Sequence, residues 1–299
     1  MMEVIRESCP SDIAELGRLF FAVFGSKRHE ALWRWKYFDN PRGLRSYCCE
    51  VDGRIVAHCG GTEVVFGADG GTWRALQSVD FMSSQEHPGG LGRGGVFARV
   101  VSAFFERYCG PGSDRVQMVY GFPGERHRVL GERVLGYRPV ERVAELLVPA
   151  EGDRSFESLE VFGEGHFARL AQPVEGVGAR RDATYLRWRY VDHPEHDYRI
   201  LQEGETSAIV RDTGDGLFVM EVGGVTDGAR ARTLIAALRA LNRPVCFWGS
   251  PAHPVGRRFV EAGCEFRERD HFVECRFFDD RVRPAVGEMY YTVGDYDVY

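Results

Sequence analysis

Two heptapeptides of this 299-residue chain are nearly the same: WKYFDNP at 35–41 and WRYVDHP at 188–194. Tryptophan, a base, tyrosine, an apolar residue, aspartate and proline recur in register, 153 residues apart. A second pair follows each of them, YGFPGERHRVLGERVLGY at 120–137 and WGSPAHPVGRRFVEAGCEF at 248–266. Each has aromatic-Gly-x-Pro, a helical stretch, and a closing glycine before an aromatic-containing strand. A repeat of so long a period means two domains of one fold, not a solenoid, and the length suits two ordinary domains. The copies are placed at 1–150 and 151–299, joined by a linker at about 149–157, with 158–180 assignable to either.

The second copy is shorter. Pro41 to Pro123 spans 82 residues, Pro194 to Pro251 only 57. The 25-residue deficit falls where the first copy carries QEHPGGLGRGGVF, with five glycines among residues 89–95. In the second copy the strand-like GLFVMEVGG passes through VTDG straight into the helical ARARTLIAALRAL. The glycine segment is therefore no requirement of the fold, and glycine at such density serves positive φ or close backbone approach. Around it the pattern predicts a strand at EVIRES, helices at about 11–24 and 29–38, and a hairpin about Asp52-Gly53. The strand WRALQSVDFMSS, a helix over 94–108, the strand RVQMVYG, a helix at ERHRVLGERVL and the strand YRPVERVAELLVP follow. Val96, Phe97, Val100, Val101, Phe104, Phe105 and Tyr108 make one apolar face of the 94–108 helix.

Three phosphate-binding readings compete for the glycine segment, in which Gly90, Gly92 and Gly95 spell G-x-G-x-x-G. A nucleotide P-loop needs G-K-[ST], and Arg93-Gly94-Gly95 stands there instead. A dinucleotide fold needs an acid at the end of the next strand, which ends in Tyr120-Gly121. The third is a strand–glycine loop–helix cradle for the pyrophosphate of coenzyme A, where free amides and a helix N-terminus supply positive potential without lysines.

On SVDFMSSQEHPGGLGRGGVF, YGFPGERHRVLGERVLGY and the repeated W-[KR]-Y-x-D-x-P, nearly the whole chain resembles the Gcn5-related N-acetyltransferase (GNAT) superfamily. It looks most like the tandem members that fuse a complete and a degenerate copy. The resemblance implies an α/β (α+β) fold, each domain a mixed, mostly antiparallel twisted sheet flanked by helices. It implies an acyl-CoA-dependent N-acyltransferase, with acetyl-CoA as co-substrate and a small amine metabolite as acceptor. The donor would be held by Phe81, Met82, Ser83, Gly90, Leu91, Gly92, Arg93, Gly94, Gly95, Val96 and Phe97. Asp80 matches the family's strand-borne base, with Glu86 a second candidate. Backbone N–H groups near Phe81 or Met82 would receive the thioester oxygen. The family's acid, a tyrosine four residues before the G-[FY] that closes the last helix, is absent: Glu132 stands there, after Gly131. Tyr120 and Tyr137 are the nearby alternatives. Two other readings stay open, a non-catalytic CoA-binding or interaction module and a protein like the tRNA-dependent aminoacyltransferases.

A formal net charge of −6 argues against a general nucleic-acid partner. No signal peptide or bilayer-spanning run is found, so a cytoplasmic protein is expected. The eight cysteines show no C-x-x-C spacing and read as core thiols. The nine histidines show no ligand pairing, and no metal is expected.

Overall fold

The computed structural model describes residues 2–43, 45–68, 71–86, 94–171, 175–283 and 288–296. In chain order the strands are β1 (Glu3–Glu7), β2 (Ser46–Val51), β3 (Arg54–Ala68), β4 (Gly71–Ser83), β5 (Met118–Gly121), β6 (Arg138–Val148), β7 (Glu160–Val161), β8 (Val177–Ala179), β9 (Arg199–Glu203), β10 (Thr206–Asp212), β11 (Leu217–Gly223), β12 (Val245–Trp248), β13 (Glu265–Phe277) and β14 (Met289–Tyr290). The helices are α1 (Ile13–Phe24), α2 (Glu30–Tyr37), α3 (Val96–Tyr108), α4 (Glu125–Leu130), α5 (Phe167–Leu170), α6 (Ala183–Leu186), α7 (Gly228–Arg239) and α8 (Pro254–Glu261). A single π-helical turn, Gly131–Leu135, extends α4 and closes on Gly136 at φ 72°.

The chain forms two compact units. One comprises Met1–Val65, Trp73–Pro139 and Phe272–Arg283, the other Phe66–Thr72, Val140–His271 and Pro284–Tyr299. A single break at 150/151 is the simplest division of a duplicated sequence, but each unit draws on more than one stretch of chain. Residues 140–148, expected to close the first copy, belong to the second unit, and the end of β13 belongs to the first.

In the first unit the strand order is β1-β2-β3-β4-β5-β13. The β2–β3 hairpin turns at Asp52 (φ 47°) and Gly53 (φ 80°), the two positive φ values of the tight turn that matches strand twist. Successive strand residues face opposite ways, so the neighbours Cys48 and Cys49 serve two different cores. Cys48 packs with Leu16, Leu19, Trp33 and Val79 under α1 and α2. Cys49 packs with Phe97, Val100, Phe104 and Val119 under α3. Burying a side chain of this size is worth roughly 1.5–3 kcal/mol, which fixes α3 by its one apolar face.

In the second unit the order is β6-β12-β11-β10-β9-β7. Each of these strand orders holds one parallel pair among antiparallel neighbours, and in the second unit β8 also pairs with β14 in parallel. β4 runs with β5 only from Ala75↔Met118 to Gln77↔Tyr120, and β11 with β12 only at Leu217↔Val245 and Phe218↔Cys246. The second core gathers Leu201, Val210, Val219, Leu234, Leu238, Phe247 and Phe259.

The repeated tyrosine of W-[KR]-Y explains why the motif recurs. In the second unit Tyr190 donates from Oη to Glu221 Oε1 at 2.8 Å. Arg181 lies 2.7 Å from the same oxygen and 2.6 Å from Asp295 Oδ2, all three side chains under 5% exposed. Burial, offset by Arg181 and reinforced by Asp295, pushes the Glu221 carboxyl above its usual range. Removing one member of a buried ionic group leaves its partners uncompensated and costs about 3–5 kcal/mol. Arg181→Met is therefore expected to lose that much in urea unfolding at pH 7. A loss under about 1 kcal/mol would show the group to be dispensable.

Candidate functional site

In the first unit the parallel contact between β4 and β5 stops at Gln77↔Tyr120. Gly121 still lies close to β4: a Cβ there would stand 3.4 Å from Ser78 Cβ. Three residues past the last parallel pair, Asp80 adopts φ 50°. Asp52 and Asp80 are the non-glycine residues with positive φ among those described. Such a residue inside a strand costs of order 1–3 kcal/mol and persists only where its surroundings over-determine it.

The surroundings do so. The Asp80 carboxylate, 3% exposed, meets Lys36 Nζ at 2.8 Å and Arg28 Nη1 at 2.8 Å. Tyr37 Oη donates to it at 2.6 Å. Arg28 is itself stacked over Phe20 and Trp33, 4.2 and 4.8 Å from the ring centroids. The Asp80 carbonyl lies 2.8 Å from His58 Nδ1, and His58 Nε2 lies 3.1 Å from Ser46 Oγ. Burial drops the imidazole to about 4. It is neutral at physiological pH, so Nδ1 donates to the carbonyl and Nε2 accepts from the serine hydroxyl. Burial opposes ionisation of Asp80, but Lys36 and then Arg28 outweigh it and hold the carboxyl far below the usual carboxylate range. A carboxylate so stabilised is an anchor and has little affinity for a proton at neutral pH. This environment departs from the general-base role expected of Asp80.

The other candidates fall into three groups. Glu86 is exposed just after β4, its backbone N–H directed at Ser84 Oγ. Phe81, Met82 and Ser83 end β4; Met82 is buried, and Phe81 meets Phe97 edge-on at 6.0 Å. Val96 and Phe97 are buried in the α3 core and fix the start of the helix to the sheet. Gly90, Leu91, Gly92 and Arg93 lie outside the described residues. Gly94 is exposed with open space around it, and Gly95 is the N-cap of α3. Of the alternative acids, Tyr137 is buried with Oη 2.7 Å from Ser78 Oγ, and burial drives its phenol well up. Tyr120 is 1% exposed, edge-on to Phe122.

Among the described residues the N-terminus of α3 has no side-chain cap and no acid in its first turn. A helix begins with unsatisfied N–H groups and partial positive charge, so these amides suit a pyrophosphate. The matching helix of the second unit differs at this point. Asp227 caps α7 and accepts from the Arg230 amide at 2.9 Å, so that end is filled from within. Trp248, His253, Tyr290 and Tyr291 line a cavity of about 20 Å³, room for roughly one water. Yet Glu221 stands three residues past its parallel pair just as Asp80 does, bonded to the repeated tyrosine in the same way. The acid is thus kept where no glycine segment exists. That marks it as part of the fold.

Sequence reasoning singled out Asp80 but missed its partners Arg28, Lys36 and Tyr37. The signal was present in the recurrence of [KR]-Y in the two heptapeptides, which marked a repeat and not a partner for the acid. The cysteines are free and all but Cys9 are buried. Among the described residues no three His, Cys, Asp or Glu side chains group as a metal site, and no helix is long and apolar enough to cross a membrane.

No protein-family model matches the chain, and no curated protein does. Solved structures do. A GCN5-related N-acetyltransferase from Kribbella flavida superposes with a TM-score of 0.64 at 13% identity, covering 93% of this chain and 71% of that one. One from Anabaena variabilis gives 0.62 at 13%, covering 93% and 73%. N-myristoyltransferase of Saccharomyces cerevisiae, solved with bound myristoyl-CoA, gives 0.60 at 9%, covering 96% and 81%. With its mixed, mostly antiparallel sheets and flanking helices, the chain has the fold of the GNAT superfamily.

Proposed function

We propose that the chain is an acyl-CoA-dependent N-acyltransferase, with acetyl-CoA as donor and a small amine metabolite as acceptor. Its first unit would hold the donor along residues 81–97. The observation that carries this reading is the contrast between two helices: among the described residues α3 begins at Gly95 with no side-chain cap, whereas α7 is capped by Asp227. The shared fold supports it, since structures of this fold include N-acetyltransferases and one with bound myristoyl-CoA.

In this reading the amine nitrogen attacks the thioester carbon, and backbone N–H groups near Phe81 or Met82 receive the carbonyl oxygen as charge develops. Asp80 anchors the turn of β4 that presents those amides. Glu86, exposed beside the loop, remains placed to take the amine proton through water. The free thiols suit a reducing cytoplasm. A non-catalytic CoA-binding module is the second reading, favoured by the ion pairs that deprive Asp80 of proton affinity.

Two variants test these roles. Because Gly94 has open space about it, Gly94→Val should melt within about 2 °C of the parent. It should still weaken CoA binding at least tenfold in calorimetry, by covering the amides. Unchanged affinity would remove the α3 N-terminus from the donor site. Asp80→Asn should lower stability by about 3–5 kcal/mol, because Arg28 and Lys36 lose their buried counter-charge. Transfer rate per folded molecule should fall less than tenfold, with amine acetylation followed by released thiol. The stability supplied by Asp80 is present above the ordinary carboxylate pKa and is lost as pH falls below it. Unchanged stability with a 10²–10⁴-fold slower reaction would restore Asp80 as the base.

A further inference from the structure

Glu274 lies on the part of β13 that belongs to the first unit, opposite Gly121 at the end of β5. It is 2% exposed, and its Oε1 is enclosed with no hydrogen-bond partner. A buried polar atom left unpaired costs roughly 1–3 kcal/mol, so its retention calls for an explanation. Space has been made for this carboxyl: a Cβ on Gly131 would stand 2.9 Å from Glu274 Oε2. Gly131 opens the π-helical turn, itself a deformation frequent at functional sites.

Among the described side chains the charges around the carboxyl are the following. Glu125 and Glu132 face it from α4 and the turn, with Arg128 between them, 2.7 Å from Glu125 and paired also to Glu132. Arg276, two residues along β13, donates to the Leu135 carbonyl and covers the rings of Phe105 and Phe278. From β5 the neighbours are Tyr120 and Gly121, which carry no charge. Burial first, then Glu132, with Arg128 opposing, raises the carboxyl to about 8. It therefore holds its proton at neutral pH, while Arg128 is spent on two other acids.

Resting on the acyl-transfer reading above, we propose that Glu274 is the proton donor to the thiolate that leaves when the amine displaces coenzyme A. The C–N bond forms and the C–S bond breaks. The sulfur takes the bonding electron pair and the proton of the Glu274 carboxyl, and the amine's surplus proton passes to water and returns to the carboxylate. The place is apt on two grounds. Gly121, opposite Glu274, adjoins Ser78, the last point where β4 and β5 touch. Glu132, where the resemblance expects a tyrosine, directly follows the glycine that makes room for Glu274.

Glu274→Gln keeps the shape and removes the acidic proton. The variant should bind CoA within threefold of the parent, and its turnover with acetyl-CoA should fall about 10²-fold or more. The parent's rate should decline above about pH 8, and the variant's profile should lack that limb. A readout free of any donor accompanies this. A carboxyl raised from 4.5 to about 8 stabilises the folded state fully below 4.5 and loses that contribution as pH climbs to about 8. The parent's melting temperature should therefore drop between pH 5 and 9 more steeply than the variant's. Equal turnover with an unchanged alkaline limb would overturn the donor role, and parallel melting curves would overturn the retained proton. A parent that neither binds CoA nor acetylates any amine would overturn the acyl-transfer reading and this role with it. A parent that does both while the variant matches it removes Glu274 alone.

Discussion

A buried acid tied to a tyrosine and to cations, three residues past the end of a parallel strand pair, is the contact on which the first unit depends. Asp80 could not keep φ 50° inside a strand without Tyr37, Lys36 and Arg28 on its carboxylate and His58 on its carbonyl. Those bonds reach back to α2 and to the loop before it, so the bend of β4 and the packing of α1 and α2 are one construction. Its charges are buried, and it is strong only while complete. The tyrosine of the heptapeptide does the same in the second unit, where Tyr190 bonds Glu221, but the cation there is Arg181, which lies outside the heptapeptide.

Duplication makes the two units controls for one another. What both keep is required by the fold: the parallel pair, the acid beyond it and the tyrosine. What differs bears on function. Among the described residues the first unit's α3 starts without a side-chain cap; in the second unit Asp227 caps α7. Gly294 shows how completely the second unit's acid is covered, since a Cβ there would stand 2.7 Å from Glu221 Oε1.

Much of this was legible in the residues. The Asp52-Gly53 turn and the apolar face of α3 formed where their chemistry required. The assembly of each unit from several stretches was not legible, because the strand pattern of 138–148 or 265–277 carries no mark of the neighbour it pairs with. The electrostatics of Asp80 were hidden for a similar reason. A carboxylate on a strand reads as a base until the cations 44 and 52 residues upstream are seen beside it. Glu274 was invisible to motif reasoning altogether. Only the fold brings it against Gly131, 143 residues earlier in the chain.

The central claim is that one of two related strand–helix corners receives the acyl donor and the other is closed. Amide hydrogen exchange, with and without saturating acetyl-CoA, tests it directly. The account predicts that acetyl-CoA slows exchange at 94–98, where α3 begins, and leaves 227–231, where α7 begins, unchanged. Protection at α7, or none at α3, would contradict it.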